Sequence, residues 1–158
     1  MHKGVSSIGK WISVLYRCRK SFAGRTLEPC GIAGCQYLFL LTLNCEDGAS
    51  QEKISDDLKI DKTTTAKSIK VLEKNGFVTR VTDPGDRRAY QVFLTQKAKE
   101  ILPRIQEAMA QWDEFIQADL TEEERRLLEG VLAKMAAKAY QSEYHRNSAA
   151  SRCRGKSK

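Results

Sequence analysis

The chain has 158 residues, which suits one compact domain with extensions, since domains commonly run to roughly 100–200 residues. Apolar residues make up 41% and charged residues 30%, with only 3 prolines, so a hydrophobic core is attainable and wholesale disorder is excluded. The formal charge of +7 is unevenly spread. Residues 1–25 carry six cations and no acid, residues 144–158 carry five cations and no acid, and the segment between holds four more acids than cations. The basic balance comes from the two ends, which is weak support for a specific nucleic-acid partner.

The longest apolar stretch, residues 37–43, is about a third of the ~20 residues that cross a bilayer, so no transmembrane helix and no membrane partner are expected. Polar and charged residues interrupt the N-terminal apolar positions, so a signal peptide is not expected either, and a cytoplasmic location is the default. Five cysteines (18, 30, 35, 45 and 153) lack C-x-x-C spacing, and the two histidines lie near the ends. No zinc site and no cofactor are expected. Cys45 reads as a small core residue, while Cys18 or Cys30 would be the candidates for a redox-active thiol.

In chain order, Ile8, Ile12, Leu15, Tyr16, Arg19 and Phe22 recur at helical spacing and predict a first helix over about 6–23. Gly24, Pro29, Gly31 and Gly34 mark a loop. A second helix follows over about 32–45, with Tyr37, Leu38, Leu41 and Cys45 on one side. Ser50 caps a brief third helix containing Ile54 and Leu58. Lys59-Ile60-Asp61 is a tight turn, and Asp61 caps a fourth helix over about 62–74, closed by Asn75-Gly76. The period then becomes extended. Residues 77–82 and 89–94 read as a two-stranded hairpin around the Pro84-Gly85 turn, needing the helices to cover one face.

Thr95 caps a long helix with Ala98, Ile101, Leu102, Ile105, Ala108, Met109, Trp112, Phe115 and Ile116 on one stripe, and Pro103 is expected to bend it. Thr121 and Glu124 form a capping box for a last helix carrying Leu128, Val131, Leu132, Met135 and Ala139. Beyond about 145 the Ser, Arg and Lys content predicts a disordered tail.

A short helix, tight turn, capped helix and charged hairpin make a winged helix-turn-helix. In the fourth helix, Ala66, Ile69 and Leu72 are expected to pack inward, leaving Lys62, Thr63, Thr64, Lys67 and Ser68 facing outward. Small hydroxyl side chains at a helix N-terminus let the backbone approach a groove wall, where they bond phosphates or base edges while lysines neutralise phosphates. At the hairpin tip, Arg87 and Arg88 stand beside Asp83 and Asp86. Arginine is planar and weakly hydrated, which suits a narrow, electronegative minor groove. An enzyme has little support: there is no phosphate-cradling glycine loop, no mid-chain histidine base and no nucleophile elbow.

Residues 32–102 resemble the core of the MarR family (multiple-antibiotic-resistance-type transcriptional regulators). The resemblance rests on Ile54-Ser55-Asp56-Asp57-Leu58, Asp61-Lys62-Thr63-Thr64-Thr65-Ala66-Lys67, Leu72-Glu73-Lys74-Asn75-Gly76-Phe77-Val78, and Asp83-Pro84-Gly85-Asp86-Arg87-Arg88-Ala89 running into Leu94-Thr95. With the flanking helices it covers about 6–142. It implies a mainly α fold with a small β-hairpin wing: an N-terminal dimerisation helix within 1–30, a winged domain over 32–98, dimerisation helices over 99–142 and a basic tail over 143–158. It further implies a homodimer on a pseudo-palindromic double-stranded DNA operator, with Thr63, Thr64 and Lys67 in the major groove and Arg87 in the minor groove. Many relatives carry Arg where Lys67 and Gly85 stand, which leaves the operator preference open. The resemblance also implies a repressor released by a small lipophilic or phenolic effector, with Trp11, Tyr16, Arg19, Tyr37 and Phe39 as candidate pocket residues. The alternatives are a thiol-based oxidant sensor of the same family and a winged-helix protein-interaction module.

Overall fold

A computed structural model describes the backbone of residues 7–82 and 90–154, and side chains within 7–82 and 90–141. The elements are α1 (Ile8–Leu27), a 3-10 turn (Glu28–Cys30), α2 (Gln36–Cys45), α3 (Gln51–Leu58), α4 (Lys62–Lys74), β1 (Val78–Thr82), β2 (Tyr90–Leu94), α5 (Gln96–Ile116) and α6 (Glu122–Arg154). The fold is mainly helical with one antiparallel hairpin, in which Val78 faces Leu94 and Thr82 faces Tyr90. The chain divides into two compact units, the boundary falling between Phe115 and Ile116.

In the first unit, local chemistry sets each boundary of the helix-turn-helix. Ser50 Oγ accepts the Lys53 N–H at 3.1 Å and starts α3. Lys59 takes a left-handed conformation (φ 56°), and Asp61 Oδ1 accepts the Thr64 N–H at 2.9 Å to start α4. The Thr64 hydroxyl, and then its backbone N–H, hold the Asp61 carboxyl below its usual range. Gly76 (φ 76°) closes α4, with the Phe77 N–H donating to Leu72 O at 2.9 Å. The core gathers Leu40 and Leu43 of α2, Ile54 of α3, Ile69 and Leu72 of α4, and Phe77, Val78 and Val92 of the wing.

Several expectations are corrected. α2 begins at Gln36, whose side chain accepts the Ala33 N–H at 3.1 Å, and its buried residues are Tyr37, Phe39, Leu40 and Leu43. Cys45 is exposed at its end rather than in the core, and Leu38 and Leu41 are half-buried. The helix is apolar nearly all round, so periodicity does not reveal its phase. Ala66 is half-buried, and the third inward residue of α4 is Thr65, fully buried beside Ile69 and Leu72. Finally, α6 extends to Arg154, past the boundary expected near 145, and neither proline nor glycine occurs between Gly130 and Gly155 to stop it.

The hairpin also gains an edge that the sequence did not announce. The Gly48 N–H donates to Val92 O at 2.9 Å, the Val92 N–H donates to Ala49 O at 3.0 Å, and Ser50 bridges Gln91. The loop between α2 and α3 thus supplies the partner that a lone hairpin lacks. At the root of the wing, Thr95 donates its N–H to Phe77 O (3.0 Å) and its hydroxyl to Gly76 O (2.7 Å), and Lys97 Nζ donates to Asn75 O (2.8 Å). Asp47 accepts the Leu94 N–H at 2.8 Å and lies 3.4 Å from Lys99. α5 then runs unbroken through Pro103, burying Ala98, Leu102, Ile105, Ala108, Met109 and Trp112. Phe115 and Ile116, expected on this stripe, are exposed. In α1 the C-terminal half is covered, with Ala23 and Leu27 buried and the Phe22 ring tilted against Trp112 at 5.4 Å between centroids, whereas Ile8, Trp11, Ile12, Leu15 and Tyr16 are exposed.

In the second unit, Thr121 and Glu124 form the expected capping box. The Thr121 N–H donates to Glu124 Oε2 at 2.8 Å and the Glu124 N–H donates to Thr121 Oγ1 at 3.3 Å. Leu127, Leu128, Val131 and Leu132 are exposed along α6.

Two outcomes follow from this packing. A Cβ at Gly48 would lie 2.6 Å from the Phe93 ring on a backbone with φ +87°, so Gly48→Ala is expected to lose about 1–3 kcal/mol, read as a lowered denaturant midpoint. Because the folded Asp61 carboxyl is depressed, its stabilising contribution is present above the unfolded value of roughly 3.9 and is lost as pH falls through the folded value. The melting-temperature gap between the native chain and Asp61→Ala should therefore narrow on acidification; a gap independent of pH would contradict the capping role.

Candidate nucleic-acid interface

The helix-turn-helix sets the outward face of α4. With Thr65, Ile69 and Leu72 buried, Lys62, Thr63, Thr64 and Lys67 are exposed and Ser68 is half-buried. The N-terminal half of α4 thus offers two hydroxyls and two ammonium groups at the positive end of the helix dipole, a surface suited to anionic oxygens. Further along the helix, Lys67, Lys70, Glu73 and Lys74 line a shallow groove together with the half-exposed Val71. Lys62 is engaged by Glu52 of α3, an exposed ion pair across the turn that spacing within α4 could not reveal. The remaining two residues expected at the interface, Arg87 and Arg88, lie outside the described residues.

The candidate effector residues divide. The Arg19 guanidinium lies 5.8 Å from the centroid of the Tyr37 ring, and its Nη2 lies 4.0 Å from Met109 Sδ. Burial is the main reason the Tyr37 phenol is raised above its usual range; the Arg19 charge opposes that shift, while Cys35, Asp113 and Tyr16 add to it. The Tyr16 phenol is also raised, chiefly by Cys35. Tyr16, Arg19 and Tyr37 therefore share one neighbourhood, with Cys35 among them. Phe39 belongs to the buried core, and Trp11 stands exposed with Lys10 Nζ 5.0 Å above its ring. Cys18 is exposed and Cys30 is half-buried, each as a free thiol. No group of metal-ligating side chains occurs among the described residues.

A family model described as the MarR family matches residues 35–90. The uncharacterised HTH-type transcriptional regulator YdgJ of Bacillus subtilis (strain 168) is 34% identical over 116 residues, spanning 71% of this chain and 69% of that protein. HTH-type transcriptional regulator BilQ of Clostridioides difficile (strain CD3) is 28% identical over 69% of this chain and 74% of its own. Among solved structures, a MarR transcriptional regulator from Methanosarcina mazei Go1 is 41% identical with a TM-score of 0.78, covering 85% of this chain and 96% of that one. A MarR family regulator from Listeria monocytogenes, solved with a 26mer DNA, is 26% identical with a TM-score of 0.85, covering 91% and 96%. With its winged helix-turn-helix, capped α4 and these relatives, the chain belongs to the MarR family of transcriptional regulators.

Proposed function

We propose that the protein is a sequence-specific regulator that grips double-stranded DNA as a homodimer. The observation that carries this reading is the N-terminus of α4, capped by Asp61 and presenting Thr63, Thr64 and Lys67 to solvent. These three residues enter the major groove, Lys62 and Ser68 contact the flanking backbone, and Arg87 reaches the minor groove with Arg88 beside it. Support comes from the Listeria relative, whose structure holds DNA. The exposed apolar residues of α1 (Ile8, Ile12, Leu15) and of α6 (Leu127, Leu128, Val131, Leu132) each call for cover, which a second copy supplies. Two-fold symmetry then sets half-sites one helical turn, about 34 Å, apart. Fragments selected from random DNA by the purified protein should show that spacing.

Lys67→Ala and Arg87→Ala are each expected to weaken binding to the selected site about tenfold, the worth of one good contact, while sedimentation still reports a dimer. Unchanged affinity in both variants would remove the groove assignments and leave a protein-interaction module as the reading.

The protein acts as a repressor released by a small phenolic anion that pairs with Arg19 beside Tyr16 and Tyr37. Release requires that the anion bind the DNA-incompetent arrangement more tightly. Hydroxybenzoate is expected to raise the Kd for the selected site, and Arg19→Ala to abolish that response; a full response in Arg19→Ala would dismiss this pocket.

A further inference from the structure

Alternation along the hairpin places Val78, Arg80 and Thr82 of β1 on the same face as Leu94, Val92 and Tyr90 of β2. Toward the root this face is buried through Val78, Val92 and Leu94. Toward the tip the apolar residues give way to a polar contact. Arg80 Nη2 lies 2.6 Å from Oε2 of Glu73 on α4, and its guanidinium carbon lies 5.4 Å from the centroid of the Tyr90 ring on β2. One side chain thus touches the recognition helix and both strands of the wing.

The pair differs from the other ion pairs. Its side chains are 30% and 33% exposed, the most sheltered among the described residues. Arg80 Nε is buried with no hydrogen-bond partner among them. A half-sheltered ion pair adds little to stability, because desolvation offsets much of the Coulombic gain. What the arginine supplies is direction: a planar fork locked between a carboxylate and a ring face allows few orientations. The 48–50 segment steadies the outer edge of β2, whereas the side facing α4 is held beyond the core by this contact.

We propose that Arg80, through Glu73 and Tyr90, is a positioning residue that sets the angle of β1 and β2 against α4, and so the direction from which the wing approaches DNA beside the 63–67 surface, without touching DNA itself. This rests on the reading above that the tip is a DNA contact, and the tests separate the two.

The full-length dimer carrying Glu73→Gln is compared with the native chain and with Arg80→Gln. Glu73→Gln removes a negative charge near the phosphates, so electrostatics alone would tighten binding; loss of a positioning contact is expected to weaken it, by about fivefold to tenfold for a single good contact. Arg87→Ala, costly in the native background, should cost less than about twofold when combined with Glu73→Gln, since a misdirected tip has little left to lose. In free protein, residual dipolar couplings of amides 79–82 and 90–93 should no longer share one alignment frame with those of α4. Equal or tighter DNA binding by Glu73→Gln, full additivity with Arg87→Ala, or an unchanged alignment would each overturn the proposal. If Arg87→Ala is silent in the native chain, the tip contact proposed above falls, and the couplings together with the Glu73→Gln affinity still decide the role of Arg80.

Discussion

The burial of one face of α4 constrains everything else in the winged region. At about 100° per residue, placing Thr65, Ile69 and Leu72 in the core leaves Thr63, Lys67, Lys70 and Lys74 on the opposite side, with no freedom to choose another face. The same geometry puts Glu73 on a flank of the helix, where the wing comes down beside it. The exposed polar surface of α4 is thus what remains when the apolar stripe is satisfied, and the cap at Asp61 decides where along the helix that surface begins.

Much of this was legible in the residues. Ser50, Asp61, Gly76 and the Thr121–Glu124 pair are local signals whose partners lie within a few positions, so they read directly as boundaries. The β-branched and aromatic residues of 77–82 and 89–94, on either side of Pro84-Gly85, marked the hairpin. Signals that needed the third dimension were lost. The uniformly apolar α2 hid its phase, so Cys45 passed for core while Leu40 and Leu43 went unnamed. Thr65 looked like its neighbours Thr63 and Thr64, although its methyl-bearing side chain belongs inside.

The candidate site divided along the same line. The outward residues of α4 followed from helix period alone, whereas Glu52 on Lys62 and Glu73 on Arg80 join residues from different elements and left no mark in the spacing. The third strand-like edge at 48–50 had a faint signal in Gly48, a residue whose conformation and contact with Phe93 only the folded chain explains. Of the five candidate effector residues, Tyr16, Arg19 and Tyr37 are neighbours, whereas Phe39 is on a face committed to the core.

At the root of the wing, the carbonyls of Asn75, Gly76 and Phe77 are met by the Lys97 ammonium and by the hydroxyl and amide of Thr95. The chain departs and returns through one stitched crossing, so the segment between is topologically a detour. Residues could be inserted or deleted at its far end without unfastening the end of α4 or the start of α5. A lineage could therefore vary the length of this detour while inheriting the helix that precedes it unaltered.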